Sequence, residues 1–224
     1  MRLAIVIPVH GDHGALSRLL DRINEMTGVD QVIVSASQVW EETDVSRDRF
    51  DATLIRGAQG RGSQLNRGRQ AADADLLWFV HADANPPSDG PTAIRQAVED
   101  GADGGYFRFR FDGIQSDAAK RLAALINWRA ARGIAYGDQG LWFRSEVFDS
   151  HDGFDDVPLF EEVSLVRDVK TTGRFEALSA SIGVDPRRWQ QTGWISRTLI
   201  NRALAIAHAC GVSPHTLARW YAKR

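Results

Sequence analysis

The most informative stretch of the sequence for the fold is Leu76-Leu77-Trp78-Phe79-Val80-His81-Ala82-Asp83. Its first five residues are apolar and are typical of a buried strand, and the run stops abruptly at the polar residues His81 and Asp83. The following Asn85-Pro86-Pro87 predicts a turn. Because ligands of open α/β sheets bind outside the carboxyl ends of the strands, we expect a binding site at this strand end.

Asp83 is the candidate metal ligand at this strand end. Mg²⁺ and Mn²⁺ prefer oxygen ligands, and a bound diphosphate completes the coordination shell that a single carboxylate leaves open. The other interpretation is that Asp83 only stabilises the turn before Asn85. This segment alone does not decide between the two interpretations of Asp83.

Strand and helix patterns alternate through the first half of the chain. Leu3–Val9 is a strand rich in β-branched residues, and Gln31–Ser35 and Ala52–Ile55 predict two further short strands. Ser63–Ala72 and Thr92–Val98 have helical patterns. Strands that alternate with helices at this spacing predict an α/β fold whose central sheet is mostly parallel, with crossover helices on its faces.

The second half has a different pattern. Tyr106–Phe111 alternates aromatic residues and arginine, as an antiparallel or edge strand does. The other predicted elements are the helix Ala118–Ala131, the tight loop Gly137–Gly140, the strand Leu141–Arg144, a helix from Glu161 to about Gly173, the strand Phe175–Val184, and two C-terminal helices at Ile195–Ala209 and Ser213–Ala222. We therefore expect one domain over residues 1–224, with halves of about 1–112 and 113–224.

Composition excludes several classes of protein. The 224 residues include 27 Lys and Arg against 29 Asp and Glu, so no overall positive charge indicates nucleic-acid binding. Cys210 is the single cysteine, which excludes an intramolecular disulfide and a thiolate zinc site. No leader-like segment precedes the first strand, and no uncharged apolar run approaches the ~20 residues of a membrane span. A cytoplasmic enzyme is the expected class.

Several motifs in order resemble the family 2 glycosyltransferases. Asn66-x-Gly68 followed by Ala72 and Asp75 resembles that family's N-x-G…A-x-G-(D/E), and His81-Ala82-Asp83 resembles its D-x-D. The family's opening strand and its G-G-F…E-D segment have counterparts in Ile5–Val9, in Gly153-Phe154 and in Phe160-Glu161-Glu162-Val163. Each motif alone is weak, but the series in this order is more specific.

One subgroup is more similar still. It consists of small bacterial family 2 transferases found beside radical-SAM and selenium- or arsenic-related genes. The segments that carry this resemblance are Gly60–Asn66, His81–Asp83, Gly137–Gly140 and Arg187–Trp189. The resemblance extends from Leu3 to about Tyr221.

The resemblance implies a GT-A fold and transfer from a nucleotide-diphosphate sugar with inversion. Residues 1–112 would bind the nucleotide sugar and residues 113–224 would supply the acceptor and catalytic side. The residues assigned to the donor are Pro8, His10, Arg61, Asn66, His81 and Arg188. Asp83 would hold a divalent metal, Mn²⁺ or Mg²⁺, while His81 stands where the first aspartate of D-x-D usually is.

The same resemblance implies the catalytic and acceptor residues. Glu161 and Glu162 match the acidic pair that supplies the general base, and Glu162 replaces the usual aspartate. The acceptor side is assigned to Asp138, Gln139 and Trp189, and the acceptor is a small molecule or is linked to a lipid. Peripheral contact with the cytoplasmic face of the membrane is compatible with a lipid-linked acceptor.

The sequence departs from the family in two places. The second strand ends at Ser35-Ala36-Ser37, where an aspartate usually engages the base or ribose. Arg187 precedes Arg188-Trp189, so the Q-x-x-R-W motif of processive members is incomplete. Recognition of the base and processive polymerisation are therefore not supported.

Helix geometry bears on the acidic pair. Adjacent residues of a helix point about 100° apart. If Glu161 and Glu162 open a helix, one faces the cleft and its neighbour accepts N–H groups at the helix start. We expect Glu162 to be the base and Glu161 to stabilise the helix terminus, with Asp138 as the next candidate for the base.

Three other functions compete with sugar transfer. A nucleotidyltransferase acting on a sugar phosphate would need a loop rich in glycine and lysine after the first strand, and His10–Gly14 contains no lysine. A catalytically silent nucleotide-sugar binding module would not need the acidic pair. An NAD-dependent oxidoreductase is disfavoured because Leu65 occupies the third glycine position of the dinucleotide fingerprint that begins at Gly60.

The C-terminal helices are expected to pack on the body of the protein. The apolar face assigned to the first of them consists of Leu199, Ile200, Ala203 and Leu204. Salt-sensitive contact with a membrane surface is assigned to Arg219, Lys223 and Arg224. The tryptophans expected to pack in the interior are Trp128, Trp194 and Trp220.

Overall fold

The computed structural model describes residues 1–11, 13–39, 51–114 and 116–222. Within these ranges seven strands form one sheet: β1 (Leu3–Val9), β2 (Gln31–Ser37), β3 (Thr53–Gly57), β4 (Leu76–Phe79), β5 (Gly104–Phe111), β6 (Trp142–Arg144) and β7 (Phe175–Val184). The described helices are α1 (His13–Asn24), α2 (Arg61–Ala71), α3 (Gly90–Glu99), α4 (Asp117–Arg132), α5 (Ser145–Ser150), α6 (Val163–Thr172), α7 (Arg187–Thr192), α8 (Trp194–Ala209) and α9 (Pro214–Ala222). A 3-10 turn spans Gly137–Gln139.

The strand order is β3-β2-β1-β4-β6-β5-β7. The first four strands in this order run parallel, β6 runs antiparallel to both of its neighbours, and β7 runs parallel to β5. The chain moves outward from β1 to β3 and then crosses back to β4 on the other side of β1. This reversal of direction opens a crevice at the carboxyl ends of β1 and β4, which is the usual ligand site of open α/β sheets. The predicted α/β fold with a mostly parallel sheet is confirmed.

Alternating side chains of the central strands supply a core on each face of the sheet. Leu3, Ile5 and Ile7 of β1 point to one face, and Ala4 and Val6 point to the other, as the two-residue period of a strand requires. Both sets are buried. A third cluster lies outside these two layers and contains Phe109, Phe111, Ala119, Ala123 and Trp189.

Helix α2 lies unusually close to β1 because of one glycine. A Cβ atom at Gly68 would lie 2.2 Å from Cγ1 of Val6. Glycine at this position therefore lets the helix backbone approach the sheet. The close approach fixes the start of α2 at the carboxyl end of the sheet, where the site is built.

Most predicted elements occur within a few residues of their expected bounds. β1 and β7 match in full, whereas the helix expected from Glu161 begins at Val163. Phe160 has a φ of 64°, in the left-handed region, and Glu161 and Glu162 precede the helix. β5 was expected to be an antiparallel or edge strand. It pairs antiparallel with β6, as expected, but it also pairs parallel with β7 and lies between these two strands rather than at an edge.

Part of the C-terminal packing prediction is wrong. Leu199 and Ala203 are exposed, and of the four residues expected to form the inner face of α8 only Leu204 is buried. Trp128 and Trp220 are about half exposed, while Trp194 packs against the ring of Phe111. Lys223 and Arg224 lie outside the described residues. None of the described helices is long and apolar enough to cross a membrane.

Candidate active site

Six parts of the chain contribute to the carboxyl end of the sheet. They are the end of β1, the end of β4, the start of α2, the 3-10 turn, the start of α7, and the segment Gly153–Glu162, which we call the acid loop. Ionisable side chains from all of these parts except the end of β1 influence one another electrostatically: Arg61, His81, Asp83, Asp138, Glu161, Glu162 and Arg188. The sequence-predicted residues of the metal, catalytic and diphosphate groups are therefore brought together.

Glu162 is buried at the centre of this site. Its Oε1 accepts a hydrogen bond of 3.0 Å from the backbone N–H of Gly137. Burial raises the pKa of Glu162 to about 8, and the negative charge of Glu161 adds to the rise while Arg61 opposes it. A carboxylate with a pKa near neutrality is suited to accept and release a proton during a reaction.

Glu161 forms an ion pair with Arg61. The Nε of Arg61 contacts Oε1 of Glu161, and its NH2 donates to Oε2 at 3.4 Å. Burial lowers the pKa of Arg61, but the charges of Glu161 and Glu162 outweigh burial and raise it above its ordinary value. Arg61 is therefore a permanent cation that compensates the buried acidic pair.

The expectation that Glu161 accepts N–H groups at the start of a helix is wrong. The residue that precedes α6 is Glu162, and in the described structure it makes no side-chain capping bond. Because Phe160 is left-handed and Glu161 lies outside the helix, the 100° rule for adjacent helical residues does not apply to the pair. Both carboxylates are buried in the same site.

The strained residue Phe160 is held on both sides. Its ring stacks on His208 of α8, with centroids 4.6 Å apart and planes at 11°, and it also contacts Tyr136 at 5.7 Å. The loop is closed by a hydrogen bond of 2.9 Å from the N–H of Asp155 to the carbonyl of Glu161. A left-handed non-glycine residue costs of the order of 1–3 kcal/mol and persists where its surroundings impose it.

Helix α2 holds the acid loop through several contacts that sequence reasoning missed. The amide of Asn66 donates to the carbonyl of Phe154 at 2.8 Å and accepts from its N–H at 3.0 Å. A Cβ at Gly62 would lie 2.1 Å from the carbonyl oxygen of Asp155, and the hydroxyl of Ser63 donates to Asp156. The sequence predicts only donor contacts for Arg61 and Asn66 in this part of α2. No signal in the sequence pairs the start of α2 with a loop about 90 residues away.

His81 is neutral in this environment. Burial together with the positive charges of Arg61 and Arg188 lowers its pKa to about 3. A Cβ at Gly137 would lie 3.2 Å from its Nε2, so glycine leaves room for the ring. His81 thus offers an uncharged ring at the position that resembles the first aspartate of the D-x-D motif.

Two carboxylates are available for a divalent metal. Asp83 is exposed at the end of β4, and Asp138 of the 3-10 turn lies near enough for the two charges to interact. Burial raises the pKa of Asp138, Arg129 and Arg61 lower it, and Asp83 raises it further. The Oδ1 atom of Asp138 is buried and has no hydrogen-bond partner within the described ranges.

These residues fit a metal that shares its ligands with a phosphate-bearing substrate. Across the described part of the chain, no group of three or more His, Cys, Asp or Glu side chains converges to enclose an ion. Mg²⁺ is commonly held by one or two carboxylates together with substrate phosphates, so a shell shared with a diphosphate is consistent with Asp83 and Asp138.

A network at the ends of β1 and β2 borders the other side of the crevice. His10 contacts Ser37 Oγ through Nδ1 at 2.9 Å and the amide of Gln59 through Nε2 at 3.0 Å. Gln64 donates at 2.7 Å to the carbonyls of both Val9 and Ser35, which joins α2 to the two strands. Ser37 therefore supplies a hydroxyl near His10, at the end of the strand where family 2 transferases usually have an aspartate.

The remaining predicted residues occupy two environments. Arg188 donates to the hydroxyl of Tyr221 at 2.7 Å and lies close enough to His81 to lower its pKa. Gln139 and Trp189 are buried: Gln139 donates to the carbonyl of Phe107 at 3.4 Å, and the Trp189 ring packs edge-on against Phe111 with centroids 5.0 Å apart. Their assignment to the acceptor stays a prediction.

Among curated proteins, the chain is similar to the undecaprenyl-phosphate 4-deoxy-4-formamido-L-arabinose transferase of Proteus mirabilis (strain HI4320), with 29% identity over 160 residues. The match covers 64% of this chain and 48% of that protein, so the chain spans about half the length of this curated relative. No protein-family model matches the chain.

Solved structures of glycosyltransferases resemble the chain more broadly. TarS 1-349 of S. aureus matches with a TM-score of 0.66 and 12% identity over 89% of this chain and 65% of that chain. The mannosyltransferase PcManGT of Pyrobaculum calidifontis, solved with GDP-Man and Mn²⁺, matches with a TM-score of 0.67 and 17% identity over 95% of this chain and 66% of that chain. Glucosyl-3-phosphoglycerate synthase of Mycobacterium tuberculosis, solved with Mn²⁺, UDP and phosphoglyceric acid, matches with a TM-score of 0.60 and 16% identity over 94% of this chain and 79% of that chain. The fold is the GT-A fold.

Proposed function

We propose that this protein transfers a sugar from a nucleotide-diphosphate sugar to an acceptor, with inversion and with the help of a divalent metal. The observation that carries the proposal is the buried carboxylate of Glu162, bonded to the Gly137 N–H and placed among Arg61, His81 and Asp138. This base candidate stands at the crevice of a fold that similar nucleotide-sugar transferases share. The subgroup named above remains part of the proposal.

The donor is proposed to lie across the carboxyl ends of β1 and β4. Pro8 and His10 border the nucleoside, and the His10–Ser37 pair takes the place of the missing acid. Arg188 faces the diphosphate, and Asp83, with Asp138, holds the metal. When bound, Mn²⁺ or Mg²⁺ neutralises negative charge on the diphosphate. Residues 1–112 then serve the donor, and residues 113–224 supply the acid loop and the acceptor side.

Inversion requires one group that accepts a proton on the acceptor side. The acceptor oxygen bonds to C1 of the sugar while the bond from C1 to the diphosphate oxygen breaks. The proton of the acceptor hydroxyl passes to the carboxylate of Glu162, and the nucleoside diphosphate leaves with its electron pair. Arg188 offsets charge on the leaving group. The ion pair of Arg61 with Glu161 keeps the second acid from competing for the proton.

The acceptor is proposed to be a small molecule or a lipid-linked molecule. The similar transferase of Proteus mirabilis is named for undecaprenyl phosphate, which favours the second possibility. A phosphate acceptor already carries its charge and does not need a base, whereas a hydroxyl acceptor does. The protein is proposed to work at the cytoplasmic side of the membrane as a peripheral protein.

The test begins with donor binding. Thermal unfolding is measured with UDP-, GDP- and dTDP-sugars, each with and without Mn²⁺, and a ligand at 100 times its Kd adds about 2.7 kcal/mol of stability. The stabilising donor is then used in single-turnover transfer to hydroxyl and lipid-phosphate acceptors. Binding without transfer identifies a silent binding module. Pyrophosphate release from a nucleoside triphosphate and a sugar phosphate identifies a nucleotidyltransferase.

A further inference from the structure

Helix α8 carries a stripe of large aliphatic side chains on its outer side. Ile195, Leu199 and Ile206 are 77%, 64% and 55% exposed. At 100° per residue these positions, together with Arg202, fall within about 60° of one another around the helix. We call these four residues the α8 stripe. The opposite side of the helix contains the buried residues Arg197 and Leu204, so the stripe faces away from the body of the protein.

Helix α9 carries a further exposed apolar side chain. Trp220 is 51% exposed and lines a cavity of about 150 Å³ between α8 and α9, together with Ile200, Ala203, Leu204, Ala207 and Tyr221. Four of the eight large exposed apolar side chains in the described ranges lie on α8 and α9. Such clustering indicates an interaction surface, because single scattered exposed residues are the usual pattern.

The charge of the C-terminal segment indicates what it contacts. Residues 187–224 contain seven of the 27 basic residues of the chain and none of its 29 acidic residues. Arg202 and Arg219 of these seven are exposed on α8 and α9. The others are engaged elsewhere or lie outside the described residues: Arg187 pairs with Asp185, Arg188 and Arg197 donate to Tyr221, and Lys223 and Arg224 are not described. The exposed arginines therefore lie on the two helices that bear the apolar side chains. Basic residues beside an exposed apolar stripe are the combination that binds anionic phospholipid surfaces.

We propose that the α8 stripe and Trp220 dock this protein on an anionic phospholipid surface, with α8 lying in the plane of the interface. The aliphatic side chains enter the boundary between headgroups and acyl chains. Arg202 stays with the phosphates, because its long stem lets the guanidinium reach outward. The proposal does not depend on sugar transfer, because vesicle binding needs neither donor nor acceptor.

The experiment is sedimentation of the full chain with vesicles. The probes are phosphatidylcholine vesicles and vesicles that also contain about 30 mol% phosphatidylglycerol. We expect partitioning to the anionic vesicles alone, with loss of binding in about 0.5 M NaCl, where charges are screened within a few ångströms. The double variant Leu199→Glu/Ile206→Glu should lower the partition coefficient at least about tenfold.

A matched control separates the effect of the surface from the effect of an added negative charge, and a second variant is available if the first does not fold. Leu125 of α4 is 63% exposed, almost the same fraction as Leu199, so Leu125→Glu adds the same charge outside the proposed surface and should change partitioning less than about twofold. Trp220→Ser is the second variant if the double variant does not fold. Equal binding to both vesicle types, no binding, or equal loss in Leu125→Glu overturns the proposal. A dimer that Leu199→Glu dissociates also overturns it and assigns the surface to a second copy.

Discussion

Arg61 and Glu161 form an ion pair although they stand 100 positions apart in the chain. The pair joins the first turn of α2 to the acid loop and sets a permanent positive charge beside Glu162. Glu161 is fully buried, whereas the Arg61 side chain is 39% exposed. The burial of an acid is thus compensated by a cation that still reaches the crevice.

Removing Arg61 should destabilise the protein. Arg61→Met leaves the charge of Glu161 buried without its partner, and we expect a loss of about 1–3 kcal/mol, less than for a fully buried pair because Arg61 is partly exposed. Urea unfolding measures the loss. The double variant Arg61→Met/Glu161→Gln removes both charges and should recover a large part of it. If the double variant is as unstable as the sum of the single variants, the ion pair does not contribute in this way.

Replacing Glu162 should abolish transfer without affecting donor binding. Glu162→Gln keeps the shape of the side chain and can still accept the Gly137 N–H, but it cannot take a proton. For a hydroxyl acceptor we expect kcat to fall by about 10²–10⁴-fold while the donor Kd is nearly unchanged. Single-turnover transfer and calorimetry measure the two quantities separately.

The matched control for this prediction is Glu162→Asp. It introduces the aspartate that the similar motif of family 2 transferases usually has and keeps an ionisable group, so it should retain far more activity than the glutamine variant. If Glu162→Gln transfers normally and Glu161→Gln does not, the roles of the two acids are exchanged. Normal transfer by both variants would move the search for the base to Asp138.

The raised pKa of Glu162 predicts that stability falls as pH rises through a defined window. The pKa of Glu162 is about 8 in the folded protein, whereas the ordinary pKa of a glutamate is 4.5. Between these two pH values the folded state binds more protons than the unfolded state, so its stability falls as the pH rises. His81 has the opposite effect, but only between about pH 3 and pH 6.5. The window in which Glu162 dominates is therefore pH 6.5 to 8.

Thermal unfolding across this window checks the sign. The wild-type midpoint should fall from pH 6.5 to 8, and Glu162→Gln should flatten that decline because it removes the titrating group. The value of kcat/KM for a hydroxyl acceptor should rise over the same window, since only the ionised carboxylate accepts a proton. A wild-type midpoint that rises with pH in this range would contradict the prediction.

Local patterns predicted the sheet well because its signals lie within single segments. The apolar run Leu76–Phe79 and the β-branched run of Leu3–Val9 each fix a strand without reference to the rest of the chain. Motif order then placed Asp83, Glu161 and Glu162 on one side of the sheet. What sequence reasoning missed depends on tertiary context: the ring of the left-handed Phe160 contacts His208 and Tyr136, which no local rule connects to it.

The outward stripe of α8 was missed for a similar reason. A helical pattern shows which residues share a face but not which of two apolar faces meets the body. Leu199 and Leu204 were assigned to one packing face, although they lie on different sides of the helix. Arg197, a charged residue within α8, is buried, and its guanidinium donates a hydrogen bond to the hydroxyl of Tyr221.

Asp83→Ala should remove the effect of Mn²⁺ on donor binding. A carboxylate that shares a cation with the diphosphate couples the two affinities, so the wild-type protein should bind UDP or GDP more tightly with Mn²⁺ and the variant should not. Calorimetry with and without Mn²⁺ measures the coupling. Asp89→Ala is a suitable control because Asp89 is also exposed and follows six residues later. Persistence of the Mn²⁺ effect in Asp83→Ala would make Asp83 a turn residue.

Asn66 distinguishes two interpretations of the segment that begins α2. If it contacts the donor, as the motif implies, Asn66→Ala should raise the donor Kd and leave stability nearly unchanged. Its two hydrogen bonds with Phe154 favour a different result. Losing both bonds should cost about 1–3 kcal/mol, because backbone groups of the acid loop lose their partners. The acid loop would then hold Glu162 less firmly, so kcat should fall while the donor Kd stays within about twofold.

Asn66→Asp is the companion variant. It still accepts a hydrogen bond from the Phe154 N–H but cannot donate to the Phe154 carbonyl. Its stability and its kcat should therefore lie between those of the wild type and of Asn66→Ala. A large rise in Kd at unchanged stability would return Asn66 to the donor site.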